Sequence, residues 1–249
     1  MAELMYIIGT ILILPAIIFG LYAQTKVMGA FNKYSKVASA KGVTGAQLAR
    51  RLLDENGCNH VTLEQTRGRL SDHYDPRGRV IRLSPDVYSS TSLAALGIAA
   101  HEVGHAIQHQ QKYAPLMVRQ LVIKSTGFLN KFLLPLIIIG VIASIFTTGM
   151  TILGFPAEDF WFFLIIAFAV LYGVSFLISV ITLPTEFNAS NRAKDLLQRG
   201  NYLYDNREYN AVSSVLGAAA LTYVAAFVVS MAYFLRFFGL ALMMVGRRR

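Results

Sequence analysis

Two histidines four residues apart, with a glutamate directly after the first, are the part of this sequence best suited to chemistry: His101-Glu102-Val103-Gly104-His105. On a helix, residues four apart share a face. Both imidazoles can therefore reach one ion at roughly 2.0–2.1 Å. Glu102 sits about 100° around the same helix, beside the ion rather than on it. There it can take a proton from the water that the ion polarises and pass it to a leaving amine. The spacing is a zinc-metallopeptidase signature. The lead-in Leu96-Gly97-Ile98-Ala99-Ala100 is apolar, and two histidines and a carboxylate on a buried helix are costly unless paired or ligating.

A catalytic zinc takes three protein ligands and leaves one position open. A metzincin would need Gly at 108 and His at 111, and this chain has Gln108 and Gln111. His109 lies one turn beyond His105, too far along the helix to join both rings, and reads as a second-layer or surface group. A site-2-type intramembrane protease would carry a later Asp in an apolar setting, whereas Asp159 and Asp195 lie in polar segments. Glu186, in Leu183-Pro184-Thr185-Glu186-Phe187-Asn188-Ala189-Ser190, is the best candidate. Its alternative role is a carboxylate favourable at a helix N-terminus.

These residues must be positioned by a chain that is 55% hydrophobic, with mean hydropathy +0.49. The apolar residues are gathered in runs long enough to span a bilayer as helices. The expected spans are residues 4–23, 132–153, 160–183 and 212–235. Between them lie a domain over 24–131, holding a zinc helix at 92–111, and a segment over 184–211 that holds the third ligand. The first run follows only Glu3 and precedes Lys26, Lys33, Lys36 and Lys41, so it reads as an uncleaved helix rather than a signal peptide. Two crossings separate His105 from Glu186, which returns Glu186 to the histidines' side.

Residues 24–131 hold 15 of the 23 Lys and Arg, residues 184–211 hold four, and residues 154–159 hold none. The positive-inside rule then puts the first and third connections in the cytoplasm and the N-terminus outside. Four spans place Arg247-Arg248-Arg249 outside, against that rule; a kinked or interfacial piece after Arg236 is the alternative. The net charge of +9 is explained by these flanking residues, and no nucleic-acid partner is expected. The lone Cys58 forms no intramolecular disulfide.

Within 24–131, residues 46–55 have helical apolar spacing, with Thr44 as a cap and Asn56-Gly57 as the stop. Residues 61–70 suit a strand. A hairpin is expected from Leu70–Tyr74 and Arg79–Ser84 around the turn Asp75-Pro76-Arg77-Gly78.

The runs His-Glu-Val-Gly-His-Ala-Ile-Gln and Glu-Phe-Asn-Ala-Ser-x-Arg-Ala, the pair of spans between them and the Ser-Asp-His-Tyr-Asp-Pro stretch resemble the YugP-type neutral zinc metallopeptidases. The likeness covers nearly the whole chain. More distantly the layout is similar to HtpX-type gluzincins. The resemblance implies one zinc ion held by His101, His105 and Glu186, with Glu102 as general base. The expected location is a bacterial inner membrane, multi-pass, with the site on the cytoplasmic face that the basic connections indicate. The chain departs from the HtpX type at Ser190, where those enzymes usually carry Asp, and Asp195 lies too far along the helix to replace it.

The strand over 79–84 (Arg79, Val80, Ile81) precedes the zinc helix as a substrate-binding edge strand does in gluzincins, and an extended peptide could add to it; a structural hairpin is the plainer reading. His73, Tyr74 or Arg192 could stabilise an oxyanion. The expected fold is thus a mainly α membrane protein, with about four transmembrane helices plus a zincin-like metallopeptidase domain containing a small β element. Its expected partners are a polypeptide substrate and the lipid bilayer, with a homo-oligomer or a membrane partner subunit left open. A membrane scaffold with a structural zinc and no turnover is the competing function.

Overall fold

The computed structural model of the chain describes residues 1–123, 135, 138 and 157–247. The expected span over 132–153 lies outside the described residues except for positions 135 and 138. The described chain contains α1 (Ala2–Tyr34), α2 (Gly45–Glu55), β1 (Thr62–Gln65), β2 (His73–Asp75), β3 (Val80–Leu83), α3 (Pro85–Tyr88), α4 (Leu93–Gln110), α5 (Ala114–Ile123), α6 (Ala157–Arg199) and α7 (Asn206–Arg247). It is mainly helical with one small sheet, and α1, α6 and α7 are each long and apolar enough to cross a membrane. The described residues form two compact units: 21–117 with 182–224, and 1–20 with the described residues of 118–181 and with 225–247.

In the second of these units, α1 and α7 approach to backbone contact. A Cβ added at Gly9 would lie 2.8 Å from the Ala232 carbonyl, and one at Gly239 would lie 2.8 Å from the Ala2 carbonyl. The two helices therefore run antiparallel, with Met1 and Arg247 at one end. Rings on α6 and α7 stack, with Phe168–Phe237 and Tyr172–Tyr233 centroids each 4.8 Å apart. Arg236 interrupts the apolar sequence but not the helix, because α7 continues through it to Arg247.

In the first unit the core is built around α4. Ser92 caps its start by accepting from Ala95 N at 3.2 Å. Ala95, Ala99 and Ala100 keep one face of α4 narrow, and Leu48, Leu52 and Leu53 of α2 belong to the same buried cluster. Helix α2 begins with a capping box between Thr44 and Gln47. Gly57, at φ +71°, lets the chain turn back after it.

The sheet has the order β1-β3-β2, with β1 parallel and β2 antiparallel to β3. Register runs from Thr62↔Val80 to Gln65↔Leu83 on one side and from His73↔Arg82 to Asp75↔Val80 on the other. The first hairpin strand is shorter than the sequence suggests. Leu70 adopts φ +54°, outside strand geometry, so pairing begins only at His73. Asp72 ties the ends of the hairpin together by accepting from Ser84 N at 2.7 Å and from Ser84 Oγ at 3.0 Å.

Candidate metal centre

Helix α4 presents His101 and His105 on one face, and their rings meet edge to face with centroids 4.7 Å apart. Opposite them, α6 supplies Glu186, one turn after the apolar run ends at Leu183. Pro184 lacks an N–H and so removes one hydrogen bond from the helix just before this point. The Oε2 atom of Glu186 lies 3.3 Å from His101 Nε2 and 3.4 Å from His105 Nε2. His105 and Glu186 are buried, the Glu186 side chain to 3% exposure, and the His101 side chain is largely covered at 12%.

This donor set fits zinc. Two atoms each about 2.05 Å from a tetrahedral ion are separated by roughly 3.3 Å, which is the spacing of Glu186 Oε2 from each ring's Nε2. One donor atom from each of the three residues lies within 4.8 Å of the others, close enough to hold a metal ion. The remaining ring nitrogens are engaged from behind. Ser190 Oγ lies 3.2 Å from His101 Nδ1, and Gln108 Oε1 lies 3.0 Å from His105 Nδ1. Partners of this kind fix ring orientation and leave Nε2 to ligate.

Burial works against a charged His105, but the hydrogen bond and charge of Glu186 outweigh it and hold its pKa above the ordinary value. Glu102, 6% exposed, is close enough for its carboxylate to push His105 in the same direction. It acts on Asp72 as well, whose pKa burial raises first and foremost.

The chain's path through Gly104 makes this meeting possible. A Cβ there would lie 2.8 Å from the Ala189 carbonyl oxygen, so only glycine lets α4 approach the main chain of α6 this closely.

The weaker candidates are dispersed. His73 is exposed, and its Nδ1 lies 2.8 Å from the Ser71 carbonyl. Tyr74 OH lies 2.8 Å from His109 Nδ1, and burial pushes the Tyr74 pKa up to about 12. Arg192 Nε donates to Asn188 Oδ1 at 2.7 Å. Arg79 is exposed at φ +49°, while Val80 and Ile81 are buried in the core. The expectation of a free edge at residues 79–84 is not met. β3 is the middle strand, and Val80–Leu83 is paired on one side and Val80–Arg82 on the other, so a peptide cannot add there.

Two residues of the network carry no motif signal of their own. Gln108, which breaks the metzincin pattern, is wholly buried and touches a ring nitrogen. Its place three residues after His105, on the same helix face, is the signal that could have marked it. Asn188 is the other, bonded to both Gln108 and Arg192.

Residues 9–242 match a family model described as "Putative neutral zinc metallopeptidase". The chain is also 42% identical over 228 residues to a Bacillus subtilis (strain 168) protein described as "Putative membrane protease YugP", covering 91% of this chain and 93% of that relative. No solved structure matches the chain.

Proposed function

The chain belongs to this neutral zinc metallopeptidase family, and from that premise we propose that it is a membrane-embedded zinc endopeptidase of the His-Glu-x-x-His gluzincin type. It hydrolyses peptide bonds in membrane-associated polypeptides or in polypeptides at the cytoplasmic face. The observation that carries this reading is the convergence of His101 Nε2, His105 Nε2 and Glu186 Oε2 at zinc-ligand spacing.

In this reading His101, His105 and Glu186 hold the ion. Zinc in that position supplies a Lewis acid that polarises the scissile carbonyl and makes water acidic near neutral pH. Glu102, next to His101 in the chain, takes the proton of the attacking water as its oxygen bonds to the carbonyl carbon. It then returns the proton to the leaving nitrogen as the C–N bond breaks. Ser190 and Gln108 hold the two rings in register. A catalytic zinc has three protein donors, a structural zinc four, and three form the cluster among the described residues.

The excess of Lys and Arg in residues 24–131 and 184–211 supports a site on the cytoplasmic side, and the likeness to a Bacillus subtilis protein described as a membrane protease supports a bacterial membrane protein.

The test is Glu102→Gln, which keeps the shape of the side chain and loses the base. Zinc content should stay at the wild-type level, while cleavage of membrane-fraction polypeptides, compared by proteomics, should drop by about 10²- to 10⁴-fold. Undiminished cleavage by this variant would overturn the mechanism.

A further inference from the structure

We propose that Gln108 sets the tautomer of His105, through a hydrogen-bond chain whose polarity is fixed by Arg192. The proposal rests on the reading of His105 as a zinc ligand and adds the device that makes it one.

The chain can be followed from its unambiguous end. A guanidinium only donates hydrogen bonds. Arg192 Nε donates to Asn188 at 2.7 Å, so the Asn188 atom it meets must be the carbonyl oxygen, Oδ1. The same oxygen lies 2.9 Å from Gln108, and the Thr185 main-chain carbonyl lies 2.8 Å from the same Gln108 atom. Two acceptors facing one atom require that atom to be the NH₂ group, Nε2, with both hydrogens given away. The remaining Gln108 atom, Oε1, is an acceptor and lies 3.0 Å from His105 Nδ1. His105 Nδ1 must then carry the hydrogen. In a neutral ring this leaves the lone pair on Nε2, the atom that faces Glu186 at 3.4 Å.

Gln108 is 0% exposed, so water does not compete for these bonds. A reversed amide would set its oxygen against two acceptors, the Thr185 carbonyl and Asn188 Oδ1. The amide has one satisfied orientation, and it is the one that prepares His105 to ligate. Asn188 and Gln108 act through His105 and are positioning residues.

The test uses the full-length chain in detergent micelles, with zinc Kd read by competition with a chromophoric chelator and thermal midpoint read in parallel. Gln108→Met matches the side chain in size but cannot accept from Nδ1; its zinc affinity should fall about 10- to 100-fold. Gln108→Glu keeps an acceptor toward His105 and loses both donors; its affinity should stay within about threefold of wild type while its thermal midpoint falls. A role confined to tying α4 to α6 would lower the midpoint in both variants and leave both affinities unchanged. An unaltered Kd in Gln108→Met, or a Gln108→Glu variant as weak as Gln108→Met, overturns the proposal. Imidazole ¹⁵N spectra of histidine-labelled, zinc-loaded wild type test it without any substitution: a His105 hydrogen on Nδ1 is expected, and one on Nε2 overturns it. Wild type that takes up no zinc overturns the site reading itself. Wild type that takes up zinc beside an unaffected Gln108→Met overturns only the role of Gln108.

Discussion

Gly104 on α4 faces the main chain of Ala189 on α6 with no room for a side chain: a Cβ at 104 would stand 2.8 Å from the Ala189 carbonyl oxygen. Three residues before Ala189 in the same helix is Glu186, and one residue after Gly104 is His105. The glycine therefore sets how closely the carboxylate meets the rings.

Gly104→Ala is expected to destabilise the protein by about 1–3 kcal/mol, as overpacking does, although alanine is the better helix former by about 1 kcal/mol. Separation of α4 from α6 should also weaken zinc binding. Thermal unfolding and zinc Kd of the variant check both, and a variant more stable than the parent contradicts the close approach.

Ser190 gives His101 Nδ1 its hydrogen-bond partner at 3.2 Å, in the place where HtpX-type enzymes usually carry Asp. Ser190→Ala should weaken zinc binding about 10- to 100-fold. Ser190→Asp, which offers a charged acceptor, should bind at least as tightly as the parent. Chelator competition on the three proteins decides it; equal affinities would show that the hydroxyl does not orient the ring.

His109 carries a pH dependence of its own. Its pKa is lowered by burial, then by the charges of Arg79 and His60. Tyr74, with its pKa near 12, keeps its hydroxyl proton across the ordinary range, and that hydroxyl lies 2.8 Å from His109 Nδ1. A histidine with a depressed folded pKa binds fewer protons folded than unfolded. Its contribution is thus complete above the unfolded value of about 6.5 and declines as pH falls through that value toward the folded one. Between pH 7 and 5 the thermal midpoint of wild type should fall more steeply than that of His109→Gln. Parallel profiles would contradict this.

Much of the centre was legible in the sequence because it depends on local periodicity. The four-residue spacing of His101 and His105 needs only a helix to act, and the long apolar runs needed only counting. Glu186 was reachable from the sequence because two expected crossings, over 132–153 and 160–183, would return it to the histidines' side. The pairing of β3 was not legible. The hairpin signal at Asp75-Pro76-Arg77-Gly78 gives one neighbour, but the parallel partner β1 comes from a non-local contact, and that contact turned an expected edge into a central strand. Gln108 was equally hidden. A glutamine on a helix is usually solvated, and its burial depends on how closely α6 passes α4 at Gly104.

The most direct test of the centre is metal analysis of purified full-length wild type, His105→Ala and Glu186→Ala. One zinc per chain is expected in wild type. His105→Ala should lose it, and Glu186→Ala should bind more than about 100-fold more weakly, beyond the cost of a lost second-layer partner. Full zinc occupancy in His105→Ala, or wild-type affinity in Glu186→Ala, would contradict a site built from these two imidazoles and this carboxylate.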